Sequence, residues 1–260
     1  MMKNRLNRTS CLMTSITVVC GVWSGFANFA LGIQQETHEE KEANLKGQAL
    51  GGLFQRWTFD QQNPNEIPAG FMSLSLGEDP APVWAIQVDA EAPSAPNSLR
   101  GESGCRSVSC YRLLVAEKLE YEYPDVSVRM RFPAEGHVGQ GGIVIGLQNA
   151  SNFYAGIVDV ASRKLELVRV IDGRVTLLGQ MDINPKPVEW HTLRILRNTI
   201  ISKDVIEAFF DGSLVLSLQD QSLGIGQVGL VVHGKSSLHF DSLHAIPLFS
   251  QRPLSAPAAY

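Results

Sequence analysis

From Asn152 to Gly179 the chain reads NFYAGIVDVASRKLELVRVIDGRVTLLG. Three runs of β-forming residues are joined there by two tight turns, ASRK and Asp172-Gly173. Asp-Gly between β-formers signals a two-residue hairpin, because both tip residues must take positive φ. The same grammar recurs along the chain. DVSVRMRF alternates strictly, with Val126, Val128, Met130 and Phe132 on one side and Ser127, Arg129 and Arg131 on the other. That period of two is a half-buried strand. VWAIQVD, CYRLLVAE, GGIVIGLQ, WHTLRIL, VIEAFF, LVLSLQ, GQVGLVVH and SLHFDSLHAI bring the total to about a dozen strands. Sheets of this kind have one apolar face each and must cover one another, so the expectation is an all-β, two-sheet antiparallel sandwich.

The first residues follow another pattern. Lys3, Arg5 and Arg8 precede the apolar run CLMTSITVVCGVWSGFANFALG, residues 11–32. Charge, then apolar residues, then small residues is the layout of a secretory signal, with cleavage after Ala27 or after Gly32. A retained membrane anchor is the alternative, since the run approaches spanning length. A lipid-modified Cys20 is a third arrangement, disfavoured by the bulky Val19 before it. The organisation expected is a signal peptide at 1–32, a charged linker at 33–50, a β-sandwich domain at 51–248 and a flexible Pro/Ala-rich tail at 249–260. The chain is then exported, periplasmic or extracellular, with no membrane span once the signal is removed. Removal of the signal leaves Cys105 and Cys110, most simply a disulfide in an exported chain. A formal net charge of -4 and no basic cluster interleaved with aromatics exclude a nucleic-acid surface.

The order and spacing of WTFD, GGIVIGLQNASNFYAGIVDV, LELVRVIDG, EWHTLRI, EAFFDGSLVLSLQD and GQVGLVVHGKSSLHFDSL resemble concanavalin A-like jelly-roll domains. They are most similar to the bacterial secreted branch called laminin-G-like or 3-keto-disaccharide hydrolase-like. The resemblance covers roughly Phe54 to Leu248 and implies a jelly roll, export and an association with carbohydrate. No cofactor is expected; the alternative is a structural Ca²⁺, which jelly-roll modules often hold where the first and last strands meet, with Asp60 in WTFD and Asp241 in HFDSL as the candidate ligands.

Catalytic signatures are sparse. Glucanases of this fold often carry Glu-x-Asp-x-x-Glu on one strand; EKLEYEYPD has Glu117, Glu120 and Glu122 but no Asp at that spacing, and reads as a solvated acidic edge. There is no G-x-S-x-G elbow and no phosphate-cradling loop. His233, His239, Asp241 and His244 lie close in sequence, and a transition metal would need three or four of them to converge.

The binding surface is instead read from strand parity. Leu193 and Ile195 point to the core, so Trp190, Thr192 and Arg194 point away. Arg129 and Arg131 are outward, as is Glu166 between Leu165 and Leu167. If these strands share one sheet, its open face carries Arg129, Arg131, Gln148, Tyr154, Glu166, Trp190 and Arg194. Flat rings stack on sugar C–H faces and charged or amide groups meet hydroxyls. The expected function is a secreted module binding a glycan or glycoside. A hydrolase or lyase acting on a 3-keto glycoside and a protein-binding adhesion domain are the alternatives.

Overall fold

A computed structural model describes residues 54–77, 83–105, 110–134 and 139–248. The readings of a signal peptide, linker and tail lie outside these residues. Among the described residues are fifteen strands, numbered β1–β15 in chain order, and no helix.

The first sheet contains β1 (Gln55–Trp57), β3 (Val83–Val88), β4 (Asn97–Gly104), β6 (Pro124–Arg131), β11 (Trp190–Ile200), β12 (Lys203–Phe210), β13 (Ser213–Gln219) and β15 (Lys235–Pro247). Their order is β13-β12-β11-β6-β15-β4-β3, with β1 also paired to β15. The second sheet contains β2 (Phe71–Leu76), β5 (Tyr111–Tyr121), β7 (Gln140–Asn149), β8 (Asn152–Asp159), β9 (Lys164–Ile171), β10 (Arg174–Asp182) and β14 (Gly226–His233), in the order β10-β9-β8-β7-β14-β5-β2. The strand pairings within both sheets are antiparallel. The expected two-sheet sandwich is therefore the observed fold.

Alternation fills the space between the layers. Val126, Val128 and Met130 of β6 and Leu193 and Ile195 of β11 meet Ile143 and Ile145 of β7 and Leu165 and Leu167 of β9 in one apolar core. Close approach demands glycine at Gly101 of β4, where a Cβ would collide with the Trp84 ring. The strand β4 is absent from the sequence expectation because NSLRGESG has almost no β-branched or aromatic content. Its place is fixed by tertiary contacts, Leu99 in the core and Gly101 beneath Trp84.

The outer face of the second sheet is also apolar and closed. Tyr111, Leu113 and Val115 of β5, Phe153 and Ala155 of β8, and Val168 and Val170 of β9 form a separate buried cluster. The cause is coiling. Three strand steps separate β5 from β8, about 14 Å in a flat sheet, yet the Tyr111 and Phe153 ring centroids are 5.7 Å apart. A Cβ on Gly173, at the β9–β10 turn, would stand 3.6 Å from Leu76 Cδ1 on the far edge strand β2. The sheet's right-handed twist thus brings diagonally opposite corners together over its own hollow.

Cys105 and Cys110 are disulfide-bonded, with their Cα atoms 6.0 Å apart, as their spacing suggests.

Candidate functional site

The residues singled out by parity divide between the two sheets. Arg129 and Arg131 of β6 lie beside Thr192 and Trp190 of β11, in the register Thr192 with Arg129 and Trp190 with Arg131. Arg194 follows on the same outer face, opposite Ser127. Gln148, Tyr154 and Glu166 do not join them, because β7, β8 and β9 belong to the second sheet. Gln148 is exposed near the β7–β8 turn, and Glu166 lies on that sheet's outer side. Tyr154 points inward and is fully buried, a correction to its reading as an outward residue. Its neighbours Phe153 and Ala155 take the outward positions instead.

On the outer face of the first sheet Arg131 and Arg194 are paired with carboxylates, while Arg129 Nε and Trp190 Nε1 are buried without a partner. Arg131 donates to Asp89 at 2.7 Å and to Glu91 at 3.3 Å, and its guanidinium carbon lies 4.9 Å from the Trp190 ring centroid. Arg194 makes a two-pronged contact with Asp125, at 2.7 and 2.6 Å, and covers the Phe209 ring. The hydrogen bonds that Arg194 donates to Asp125 hold its proton even more tightly than usual. Arg129 reaches Thr192 Oγ1 and the Trp190 carbonyl. The histidines named above do not gather: His239 Nδ1 meets Ser98 Oγ at 3.0 Å, and His233 Nδ1 meets the Cys110 carbonyl.

Asp60 and Asp241 are brought together by Ser94. The Ser94 backbone N–H donates to Asp241 and its hydroxyl to Asp60, both at 2.6 Å. Burial, with Asp60 and Asp89 adding negative charge nearby, pushes the Asp241 carboxyl up to about 6. Asp60 Oδ1 is buried with no partner. Beside it the carbonyls of Phe59, Asp60 and Gln62 converge on Asn97 Nδ2 at 3.3–3.4 Å. Among the described residues no three His, Cys, Asp or Glu side chains stand together at metal-binding spacing. The two carboxylates are oxygen donors, the kind that suits a hard cation such as Ca²⁺ and not zinc, while the three carbonyls are engaged by Asn97 Nδ2.

An open cavity of about 780 Å³ lies at one end of the sandwich, and the parity argument missed it. Three pieces of chain form it. The turn from β5 to β6 brings Glu122 and Tyr123; the β11–β12 hairpin brings Arg197, Thr199 and Ser202; the connection from β13 to β14 brings Gln221 and Gly224. Cross-bonds hold the pieces in register. Arg197 ion-pairs with Asp204 and donates to the Gly224 carbonyl at 2.7 Å. Gln221 donates to the Ser202 carbonyl at 2.9 Å. Behind them Asp220 takes hydrogen bonds from the Tyr154 hydroxyl, Arg169 and the Ser222 N–H. Burial raises the Asp220 pKa, but those donors outweigh it and hold the carboxyl below its ordinary value.

Arg197 Nε is buried without a partner, and the guanidinium lies 5.8 Å from the Tyr123 ring centroid. The sequence carries one signal for this site. Arg197 has the parity of the core residues Leu193 and Ile195, so WHTLRILR aims a cation inward at the end of its strand.

No family model matches the chain, and no curated protein matches it. Among solved structures it is similar to the carbohydrate-binding module CBM66 from Bacillus subtilis, with 15% identity and a TM-score of 0.54 over 68% of this chain and 95% of that one. It is also similar to the cellulose induced protein Cip1, with 11% identity and a TM-score of 0.53 over 75% of this chain and 98% of that one. At these identities the likeness is one of fold, and this chain shares the two-sheet jelly-roll fold with these proteins.

Proposed function

We propose that this chain is a carbohydrate-binding domain and that the end cavity receives the sugar. The observation that carries the reading is a framed, open cavity that combines aliphatic, aromatic and polar groups, among them the ion-paired Arg197 and Asp204. Ligand sites are usually concave, with a few polar groups fixed in place. Here Ile201 and Ile225 offer apolar surface to C–H faces, and Asp204, Thr199 and Gln221 offer partners to hydroxyls. Likeness of fold to a carbohydrate-binding module supports the class of ligand but not the sugar. Export and membership of the laminin-G-like branch belong to the same proposal. The first rests on the N-terminal pattern and the disulfide, the second on sequence resemblance.

A printed array of neutral and charged oligosaccharides tests the reading. A Cβ at Gly224 would meet nothing within 4 Å, so the backbone there has room for a side chain at the cavity wall, and Gly224→Trp is the probe. Binding of the native chain to at least one oligosaccharide, weakened at least tenfold by Gly224→Trp, is expected. A native chain that captures no oligosaccharide, or a variant that binds equally well, removes the reading.

The proposal includes a structural Ca²⁺ held by Asp60 and Asp241. Bound calcium would neutralise two neighbouring carboxylates and fasten the Ser94 loop to the first sheet. Millimolar calcium in place of chelator should raise the thermal midpoint by several degrees, since a ligand of the folded state stabilises it by mass action. Asp241→Asn should remove that increment. Identical midpoints with calcium and with chelator would dismiss the ion.

A further inference from the structure

Among the described residues, three two-residue hairpin turns have positive φ at both tip residues. In two of them the tip is Asp-Gly: Asp172-Gly173, with φ of 51° and 74°, and Asp211-Gly212, with φ of 48° and 81°. These are the residues such a turn favours. The third joins β11 to β12, where Ile200 pairs with Lys203 and the tip is Ile201-Ser202, with φ of 49° and 64°. A β-branched residue in the left-handed region is a backbone outlier, because its Cβ crowds the backbone there. Nothing in the fold repays this strain with burial, since Ile201 is 93% exposed. Both tip residues line the end cavity.

Strain that persists at an exposed position beside a cavity is a pointer to function. The side chain is also the wrong kind for a bare loop. An isoleucine this exposed loses nothing on becoming polar unless something apolar meets it. Ile225, 55% exposed, stands on the same rim, so the cavity mouth has two aliphatic side chains above a polar wall. Gln221, bonded to the Ser202 carbonyl, holds the tip against the connection that leads to β14.

We propose that Ile201 is a specificity-determining residue of the end cavity: a preorganised aliphatic finger that closes on the C–H face of a bound sugar ring while the polar wall takes its hydroxyls. This rests on the reading of the cavity as a carbohydrate site. It selects for ligands that present an apolar ring face toward the hairpin. The strain of the tip is kept because Asp-Gly would relax the turn but remove the contact.

The double substitution Ile201→Asp with Ser202→Gly installs the tip that the chain uses elsewhere. The thermal midpoint should rise by about 3 °C or more, while affinity for the oligosaccharide captured by the native chain falls at least tenfold. Ser202→Gly alone relaxes one residue and keeps the isoleucine, so the midpoint should rise and affinity stay within about threefold. A double variant that binds as tightly as the native chain overturns the finger, whether or not it is stabilised. So does a Ser202→Gly variant that loses binding as completely as the double variant, because the isoleucine would then not be the contact. If the tip variants bind normally while Gly224→Trp does not, the finger alone fails. If the native chain captures no oligosaccharide, the carbohydrate reading fails with it.

Discussion

Phe153→Ala should cost about 3–5 kcal/mol of folding stability, the usual penalty for truncating a buried aromatic. By strand parity Phe153 belongs to the outer face of the second sheet, where an ordinary sandwich would meet solvent. It is nevertheless fully buried, with its ring 5.7 Å from that of Tyr111. Truncation would open a void in a closed apolar cluster, and the lost contacts would not be replaced by water-facing relaxation. Urea unfolding of the purified chain measures the difference directly. A loss below about 1 kcal/mol, typical of a surface substitution, would mean that the hollow of this sheet is open and that its coiling is overstated.

Arg197→Ala should be comparably damaging, about 3–5 kcal/mol, because it breaks a buried ion pair from one side. The Arg197 side chain is 4% exposed and that of Asp204 13%, so the carboxylate is left with little water to replace its partner. The Gly224 carbonyl loses its donor at the same time. Pairing the change with Asp204→Asn should recover part of the loss, since the orphaned charge disappears; a double-mutant cycle measures that coupling. Arg194→Ala is the contrasting case. Its side chain is 42% exposed, so solvent screens the arginine's end of the pair, but Asp125 is 9% exposed and loses a two-pronged partner, so the change should cost more than a surface pair and less than Arg197→Ala. Equal losses for the two arginines would contradict the assignment of Arg197 as the buried keystone of the cavity wall.

Much of the architecture is written locally. Alternation in DVSVRMRF and WHTLRIL places Arg129, Arg131, Trp190 and Arg194 on one outer face, and the structure has them there, because parity depends only on the pleat. Which strands share a sheet is a different kind of information. Tyr154 and Glu166 carry the same local signals as the arginines, but their strands lie in the opposite layer, and no short window of sequence encodes that choice. Tyr154 shows the consequence: a polar-tipped residue in a strand buried on both faces can point inward if something meets its hydroxyl, and Asp220, 66 residues away, does so. The cavity was hidden for the same reason. Its walls come from three separated segments, and only Arg197, a cation at an inward position, marks it in the sequence.

The interleaved strand order has a consequence for how the molecule assembles. β7 to β10 are joined by consecutive hairpins, and so are β11 to β13. These blocks need only nearby chain. The two strands that follow them, β14 and β15, sit in the middle of their layers: β14 between β5 and β7, β15 between β4 and β6. Neither layer is continuous until these late-synthesised strands slot in, so closure waits on contacts of long sequence separation, which are slow to form. During synthesis the earlier hairpins stand with unpaired edges, the condition in which nascent β-proteins most need protection from one another.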